Sequence, residues 1–156
     1  MQSTKQEALA RMERASAWAE ELKQIEEKQL TMPMRAGKWS IRQTAGHLYY
    51  WDRFILESIL PAAREGKRVP PFPQADIYNR AALAALEGRR TERILNEWQS
   101  VRNTLIEELR ELPETTRFLV PDRGEWGAVD IAVLLADHDA HHEAQIRRFL
   151  AHGFER

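Results

Sequence analysis

Residues Ala128 to His152 read AVDIAVLLADHDAHHEAQIRRFLAH and form the clearest helical pattern in the chain. At about 100° per residue, one face of this segment carries both apolar side chains and histidines. Around His138, that face comprises Ile131, Leu134, Leu135, His142, Gln145 and Phe149. The periodicity predicts a long helix over the whole segment, with Gly153 as its C-terminal cap. The two histidines on the apolar face should therefore point into the protein.

The first helical pattern begins at a capping box, in which Thr4 and Glu7 accept hydrogen bonds from each other's backbone amides. Its apolar stripe consists of Leu9, Met12, Ala15, Ala19, Leu22 and Ile25. The segment Thr31-Met32-Pro33 ends the pattern, because proline has no amide hydrogen to donate within a helix.

The second helical pattern starts at another capping box, formed by Ser40 and Gln43, and extends from Ile41 to about Arg64. Pro61 is expected to kink this helix or to end it early. His47 lies on the most aromatic face of the helix. The rings on that face are Tyr50, Trp51 and Phe54. Tyr50 and Trp51 should either line a pocket beside His47 or pack in an ordinary core.

A proline-rich link, Val69-Pro70-Pro71-Phe72-Pro73, separates the second and third long helices. Three prolines exclude regular helix or strand here, so the segment either shapes a pocket mouth or serves as a plain crossover. A short helix is predicted from about Asp76 to Leu86. The third long helix should extend from about Arg90 to Leu112, where Pro113 stops it.

No part of the chain predicts a sheet. The only β-rich piece, Phe118 to Val120, is short, and no segment alternates between apolar and polar residues. A chain of 156 residues is long enough for one domain with a sizeable core. We therefore predict an all-α protein, a single four-helix bundle over residues 1–156.

Charge and composition exclude several classes of partner and of site. The formal net charge of −1 gives no electrostatic reason to expect nucleic acid or an anionic membrane. The polar N-terminus has no signal-peptide core, and no apolar segment is long enough to span a bilayer, so we expect a cytoplasmic protein. Because there is no cysteine, any metal site must use histidine, carboxylate and water.

Three of the five histidines suggest a metal site. His138 and His142 are four residues apart, so they share one helix face, and His47 faces inward from the second helix. Together they can supply three nitrogen ligands and leave positions open for water or substrate. The alternative is a hydrogen-bonded histidine network, because each unpaired buried nitrogen costs about 1–3 kcal/mol.

Neighbouring polar residues have two interpretations each. His141 is either a general acid or base beside the metal or a residue at the solvent edge. Gln145 either fixes an imidazole or makes a simple interhelical hydrogen bond. Asp137 and Asp139 point about 100° away from His138, which predicts surface charges rather than ligands.

Basic residues form two groups that flank the short helix. They either bind the carboxylates of a small anionic thiol or belong to the solvated surface. The groups are Arg64, Lys67 and Arg68, and Arg89, Arg90 and Arg93.

Two short motifs resemble those of a known family. They are Trp39-Ser40 leading into Gly46-His47-Leu48 and Trp51, and His138-x-x-x-His142-x-x-Gln145-Ile146. With the order of long helices and loops, they make nearly the whole chain similar to the DinB/YfiT-like superfamily of metal-dependent enzymes. The resemblance implies an up-down-down-up four-helix bundle, often a homodimer. It also implies a divalent metal, typically nickel or zinc, held by His47, His138 and His142.

Activities within that superfamily include S-transfer with bacillithiol or mycothiol, maleylpyruvate isomerisation and hydrolysis. The resemblance thus implies a transferase or hydrolase that acts on a small molecule, with or without a low-molecular-weight thiol as cofactor. The alternative is a non-catalytic stress-response bundle, in which the histidines stabilise the core and an outer face binds another protein. The founding members are associated with DNA-damage induction, but the balanced charge of this chain predicts no DNA-binding surface.

Overall fold

The computed structural model describes residues 4–154, and most of them are helical. Within this range, no helix has the length and apolar character needed to cross a membrane. The elements in chain order are α1 (Lys5–Leu22), α2 (Glu27–Thr31), α3 (Ile41–Phe54), α4 (Leu60–Arg64), α5 (Ala75–Ala85), α6 (Thr91–Glu111), β1 (Phe118–Val120), β2 (Gly124–Trp126) and α7 (Ala128–His152).

Contacts between the long helices establish how α1 lies in the bundle. Helices α1 and α7 run parallel, since Arg11 binds Asp137 and, farther along both helices, Arg147 covers the ring of Trp18. Helices α1 and α6 run antiparallel, because Lys5 near the start of α1 donates hydrogen bonds to carbonyl groups at the end of α6.

The second pair of parallel helices is α3 with α6. Asp52 on α3 binds Arg102, and farther along α6 Glu108 binds Arg64 on α4, which continues the path of α3. Parallel neighbours require a crossover, which the proline-rich link and α5 supply. The predicted all-α, up-down-down-up four-helix bundle is thus confirmed.

The second predicted helix follows one continuous path from Ile41 to Arg64, as expected, but its hydrogen bonding changes before Pro61. Residues Ile55–Ile59 form a π-helical turn, and the Leu60 amide donates to the carbonyl of Ile55, five residues back. Proline cannot donate to the preceding turn, so a local widening of the helix at this point is the expected kind of disturbance.

Both predicted N-terminal capping boxes are present, at Thr4 with Glu7 and at Ser40 with Gln43. The C-terminal cap at Gly153 is also present, with a φ of 78° that favours glycine. The first pattern differs from the prediction. Helix α1 ends at Leu22, and a separate short helix α2 follows before Pro33.

The prediction of no sheet was wrong. Strands β1 and β2 form a small antiparallel hairpin, in which Phe118 lies opposite Trp126 and Val120 lies opposite Gly124. Positive φ angles at Asp122 and Gly124 allow the tight connection between the strands. Each strand has three residues, too few for an alternating pattern to be recognised in the sequence.

The core consists of two apolar clusters, and α1, α6, α7 and the continuous helical path over residues 41–64 contribute to both. On each helix except α1, a charged residue lies between the parts that belong to the two clusters. These residues are Asp52 on α3, Arg102 on α6 and Asp139 on α7, which we call the Asp–Arg–Asp cluster. His47 lies five residues from Asp52, and His138 and His142 lie within three residues of Asp139.

Candidate metal centre

The structure brings together the three histidines that the sequence singled out. His47 projects from α3, and His138 and His142 project from α7. The Nε2 atom of His138 lies 3.0 Å from Nε2 of His47 and 3.1 Å from Nε2 of His142. One nitrogen from each ring lies within 4.8 Å of both others. The three side chains therefore present one convergent set of nitrogen atoms.

Close packing against α3 brings the crossover segment to this site. Gly46, directly before His47, has the side chain of Leu86 so close that a Cβ added there would lie 2.1 Å from its Cδ1 atom. Leu86 follows α5 and is fully buried. A side chain at position 46 would therefore displace the buried side chain of Leu86.

Asn79 on α5 determines which nitrogen of His47 carries the proton. The indole N–H of Trp51 donates to Asn79 Oδ1 at 2.8 Å, and because an indole nitrogen only donates, the amide oxygen must face it. The same oxygen lies 3.1 Å from Nδ1 of His47 and accepts a hydrogen bond from its N–H. The Nε2 atom of His47 is thus left with a lone pair directed at the other rings.

His142 is held in the same way from its own helix. Its Nδ1 donates to Oε1 of Gln145 at 3.0 Å, which confirms the prediction that Gln145 fixes an imidazole. Lone pairs on Nε2 of both His47 and His142 then face Nε2 of His138. One imidazole nitrogen can donate at most one proton, so at least one of the two short N···N contacts has no hydrogen between its atoms.

A divalent cation fits this donor set. Metal–nitrogen bonds of about 2.0–2.1 Å place neighbouring ligand nitrogens about 3.0–3.4 Å apart, depending on the bond angle. The two contacts at His138, 3.0 and 3.1 Å, agree with that spacing. A cation at the centre would turn mutually repelling lone pairs into ligands.

The electrostatics keep all three rings in the form that binds metal. Burial, reinforced by His138 and His142, lowers the pKa of His47 to about 3. Burial and the neighbouring His141 lower the pKa of His138 to about 4. Burial and then His138 lower the pKa of His142 to about 4. Neutral imidazoles at pH 7 are the metal-binding form.

Aromatic side chains surround the histidines. Trp39 lies 4.7 Å from His47 and 6.5 Å from His142, measured between ring centroids. Trp51 also contacts His47, which confirms its placement beside the site. The ring of Tyr50 instead packs against Tyr49, so its predicted role in the pocket wall is not supported.

The proline-rich link packs against the site's aromatic surroundings through Phe72. Its ring contacts Trp51, Phe54 and Trp126 at centroid distances of 6.3, 5.5 and 5.7 Å. The link therefore packs behind Trp51 and serves as the crossover between parallel helices. A role in shaping a pocket mouth stays a prediction.

A cavity of about 590 Å³ opens beside His142. Its size lies within the range of about 300–1,000 Å³ that is usual for small-molecule sites. The residues that line it are Met34, Arg35, Gly37, Lys38, Trp39, Thr44, His142, Gln145, Arg148, Phe149 and Gly153.

The two aspartates beside His138 differ in environment. Asp137 is exposed and binds Arg11, as predicted for a surface charge. Asp139 is buried and binds Arg102, so its prediction as a surface residue was wrong. It lies about 100° from His138, but α6 packs on that side, so this direction also points into the bundle. His141 is exposed, in agreement with a position at the solvent edge.

Every charged-group atom of the Asp–Arg–Asp cluster has a hydrogen-bond partner. Arg102 donates to Asp52 at 2.8 and 3.1 Å and to Asp139 at 2.5 and 2.9 Å. Trp98 donates to Asp52 at 3.0 Å. Burial raises the carboxyl pKa of both aspartates, and the charge of Arg102 opposes that shift. Sequence reasoning missed Arg102, although it lies one turn after the inward-facing Trp98.

Most of the basic residues singled out from the sequence form ion pairs away from the cavity. Arg64 pairs with Glu108, Lys67 pairs with Glu65, and both Arg89 and Arg93 pair with Glu97. The cavity wall instead carries Arg35, Lys38 and Arg148. Their convergence depends on how the loop before α3 packs against the end of α7, which no local pattern reveals.

Comparison with known proteins gives a family and a fold. The sequence profile of the DinB superfamily matches residues 4–146. No curated protein matches the chain in sequence.

Solved structures with the same fold include YfiT from Bacillus subtilis, described as a probable metal-dependent hydrolase with an unusual four-helix bundle topology. It is 20% identical over 97% of this chain and 89% of its own, with a TM-score of 0.65. The four-helix bundle protein TT2238 is 20% identical over 95% of this chain and 99% of its own, with a TM-score of 0.64. A mycothiol-dependent maleylpyruvate isomerase is 13% identical over 92% of this chain and 61% of its own, with a TM-score of 0.73.

Proposed function

This chain belongs to the DinB superfamily, and from that premise we propose that it is a metal-dependent enzyme acting on a small molecule. His47, His138 and His142 would hold one divalent ion. The observation that carries the proposal is the convergence of their three neutral Nε2 atoms without enough protons to bond to one another. The description of YfiT as a probable metal-dependent hydrolase supports the same class of chemistry.

The donor set favours zinc or nickel. Neutral imidazole suits both ions, whereas magnesium and calcium prefer oxygen ligands. Three protein ligands leave coordination positions for water or substrate, as in catalytic rather than structural sites. When bound, such an ion supplies Lewis acidity that lowers the pKa of a coordinated water or thiol.

The protein's own residues would orient the ligands and exclude water from one side. Asn79 and Gln145 hold the Nδ1 protons of His47 and His142, so both rings keep their Nε2 lone pairs directed inward. Trp39 covers two of the rings. The cavity beside His142 leaves an approach for a substrate.

Two reactions use this arrangement equally well. Attack by water would make the protein a hydrolase, and attack by a low-molecular-weight thiol would make it an S-transferase. The mycothiol-dependent isomerase shares the fold, which makes thiol chemistry worth testing beside hydrolysis. We further propose that the chain forms a single domain and acts in the cytoplasm as a homodimer.

The test compares zinc- and nickel-loaded protein with chelator-treated protein. One assay follows hydrolysis of 4-nitrophenyl acetate, and the other follows transfer of several thiols to a chromogenic aryl halide. We expect metal-dependent turnover in at least one assay, lost in His47→Ala and kept in His141→Ala, whose side chain is exposed. Metal binding with no turnover in either assay would favour the non-catalytic alternative.

A further inference from the structure

The buried side chain of Arg102 on α6 is hydrogen-bonded to both helices that carry the candidate metal ligands. One edge of its guanidinium group, Nε and Nη2, donates to Asp52 on α3 at 2.8 and 3.1 Å. The other edge, Nη1 and Nη2, donates to Asp139 on α7 at 2.5 and 2.9 Å. The group is planar, so two paired sets of hydrogen bonds fix the direction of both carboxylates. One rigid group therefore links α3 to α7.

The two carboxylates lie close in sequence to the metal ligands. Asp52 follows His47 by five residues on α3, and Asp139 lies between His138 and His142 on α7. Within one helix, hydrogen-bonded turns hold such near neighbours at fixed distances. A displacement of either carboxylate together with its helix would therefore also displace the histidines of that helix.

The histidine cluster does not itself provide enough hydrogen bonds to hold α3 against α7. Lone pairs on His47 and His142 face His138, which has at most one proton to donate. Apolar packing brings the helices together, but it is not directional. Hydrogen bonds depend on both distance and angle, so those of Arg102 restrict the relative position of the two helices more closely.

We propose that Arg102 is a positioning residue for the metal centre: through Asp52 and Asp139 it holds α3 and α7 at the separation at which their histidines bind one ion. The inference rests on the proposed function, because it concerns the same three ligands. It predicts that metal affinity and stability are separable. Apolar side chains of similar volume can replace the stabilising effect of a buried ion cluster, but they do not reproduce its directional hydrogen bonds.

The triple variant Asp52→Leu, Arg102→Met and Asp139→Leu tests this prediction, since all three histidines remain. Zinc affinity is measured by competition with a chromophoric chelator, and the absorption spectrum of the cobalt-loaded protein reports the ligand geometry. We expect zinc affinity to fall about tenfold or more, with an altered cobalt spectrum. Urea denaturation should show a stability close to that of the wild-type protein.

Two variants serve as matched controls. Asp137→Leu replaces the exposed carboxylate on the other side of His138 in the sequence, which binds Arg11, and should leave zinc affinity unchanged. Leu109→Ala removes a fully buried apolar side chain from α6, so it should lower the stability and leave zinc affinity within about twofold of wild type. The controls separate positioning from a local change beside His138 and from a general loss of stability.

Arg102→Lys decides the question if the triple variant does not fold. It keeps the positive charge, but an ammonium group cannot make two paired sets of hydrogen bonds in one plane, so zinc affinity should again fall. In that variant the cobalt spectrum should also change.

Two results would overturn the inference. The first is a zinc affinity within about twofold of wild type in the folded triple variant or, if that variant does not fold, in Arg102→Lys. The second is an equal loss of affinity in Leu109→Ala, which would make affinity a matter of overall stability. Failure of the wild-type protein to bind zinc contradicts the metal centre itself, whereas unchanged affinity in the variants contradicts only the role of Arg102.

Discussion

Helices α3 and α7 meet at two buried polar clusters that satisfy their hydrogen bonds differently. In the Asp–Arg–Asp cluster, four donated hydrogen bonds join Arg102 to the carboxylates of Asp52 and Asp139. Every nitrogen and oxygen atom of these three charged groups has a hydrogen-bond partner within the described residues, so the cluster is satisfied without a bound ion. It links three of the four long helices.

The histidine cluster lies beside it and has the opposite character. Lone pairs on His47 and His142 face His138, which has at most one proton to donate. Side chains on the outer edges, Asn79 and Gln145, hold the rings in this arrangement. A buried imidazole nitrogen without a hydrogen-bond partner lowers the stability of the fold, and a bound cation would provide the missing partner. The comparison shows why function is expected at the histidines and structural support at Arg102.

The largest expected effect on stability comes from replacing Arg102, the central residue of the Asp–Arg–Asp cluster. Arg102→Met leaves two buried carboxyl groups without their partner, so the free energy of unfolding should fall by about 3–5 kcal/mol. Urea denaturation measures the change. Arg110→Met, which removes an exposed arginine from the same helix, should have little measurable effect.

The triple replacement Asp52→Leu, Arg102→Met and Asp139→Leu distinguishes the contribution of the ion pairs to stability from that of side-chain packing. An apolar set of similar volume should restore most of the stability that Arg102→Met loses. If Arg102→Met itself costs less than about 1 kcal/mol, the cluster is not the closed, mutually dependent unit described above.

The next largest effect is on metal affinity and concerns the side chains that orient the histidine cluster. Asn79→Leu removes the acceptor for the Nδ1 proton of His47, and metal affinity should fall about 10- to 100-fold. Zinc affinity is measured by competition with a chromophoric chelator. Asn103→Leu, at an exposed position of α6, serves as control. Affinities of Asn79→Leu and wild-type protein within twofold of each other would show that Asn79 does not orient the ligand.

The pH dependence of the metal-free protein follows from the lowered histidine pKa values. Below about pH 6.5 the unfolded chain binds protons that the folded cluster does not, down to about pH 4 for His138 and His142 and about pH 3 for His47. The free energy of unfolding is therefore highest above pH 6.5 and decreases as the pH is lowered through this window. Each histidine contributes at most about 1.4 kcal/mol per pH unit. Urea titrations across the window should show this slope, and simultaneous replacement of the three histidines by alanine should flatten it. An equal slope in both proteins would contradict the assignment.

The smallest expected effect on stability distinguishes the clusters most sharply. His138→Leu in the metal-free protein removes the nitrogen that both lone pairs face, so stability should change by no more than about 1 kcal/mol in either direction. Urea denaturation in the presence of chelator gives the value. A loss above about 2 kcal/mol would mean that the histidines already satisfy one another without a cation.

Helical periodicity was sufficient to predict what lies on one helix. It gave the extent of α7 from Ala128 to His152 and the inward direction of His138 and His142. The capping boxes at Thr4 and Ser40 were also recognisable, because each depends on residues three positions apart. His47 was predicted from the apolar and aromatic character of its own helix face.

What periodicity did not reveal depends on which helices are neighbours. Asp139 was predicted at the surface because its direction was judged only from His138, but α6 places Arg102 there. Asn79 lies on the crossover helix and reaches His47 from 32 positions away. The cavity cations come from a loop and from the end of α7. Such contacts follow from the packing of the chain and leave no local signal in its sequence.

The central claim is that His47, His138 and His142 together bind one divalent ion. X-ray absorption at the metal edge of zinc- or nickel-loaded protein tests it most directly. We predict one ion per chain with three imidazole nitrogens at about 2.0–2.1 Å, a count that falls in His47→Ala and is unchanged in His141→Ala. A spectrum with oxygen ligands alone, or one that His47→Ala does not alter, would contradict the claim.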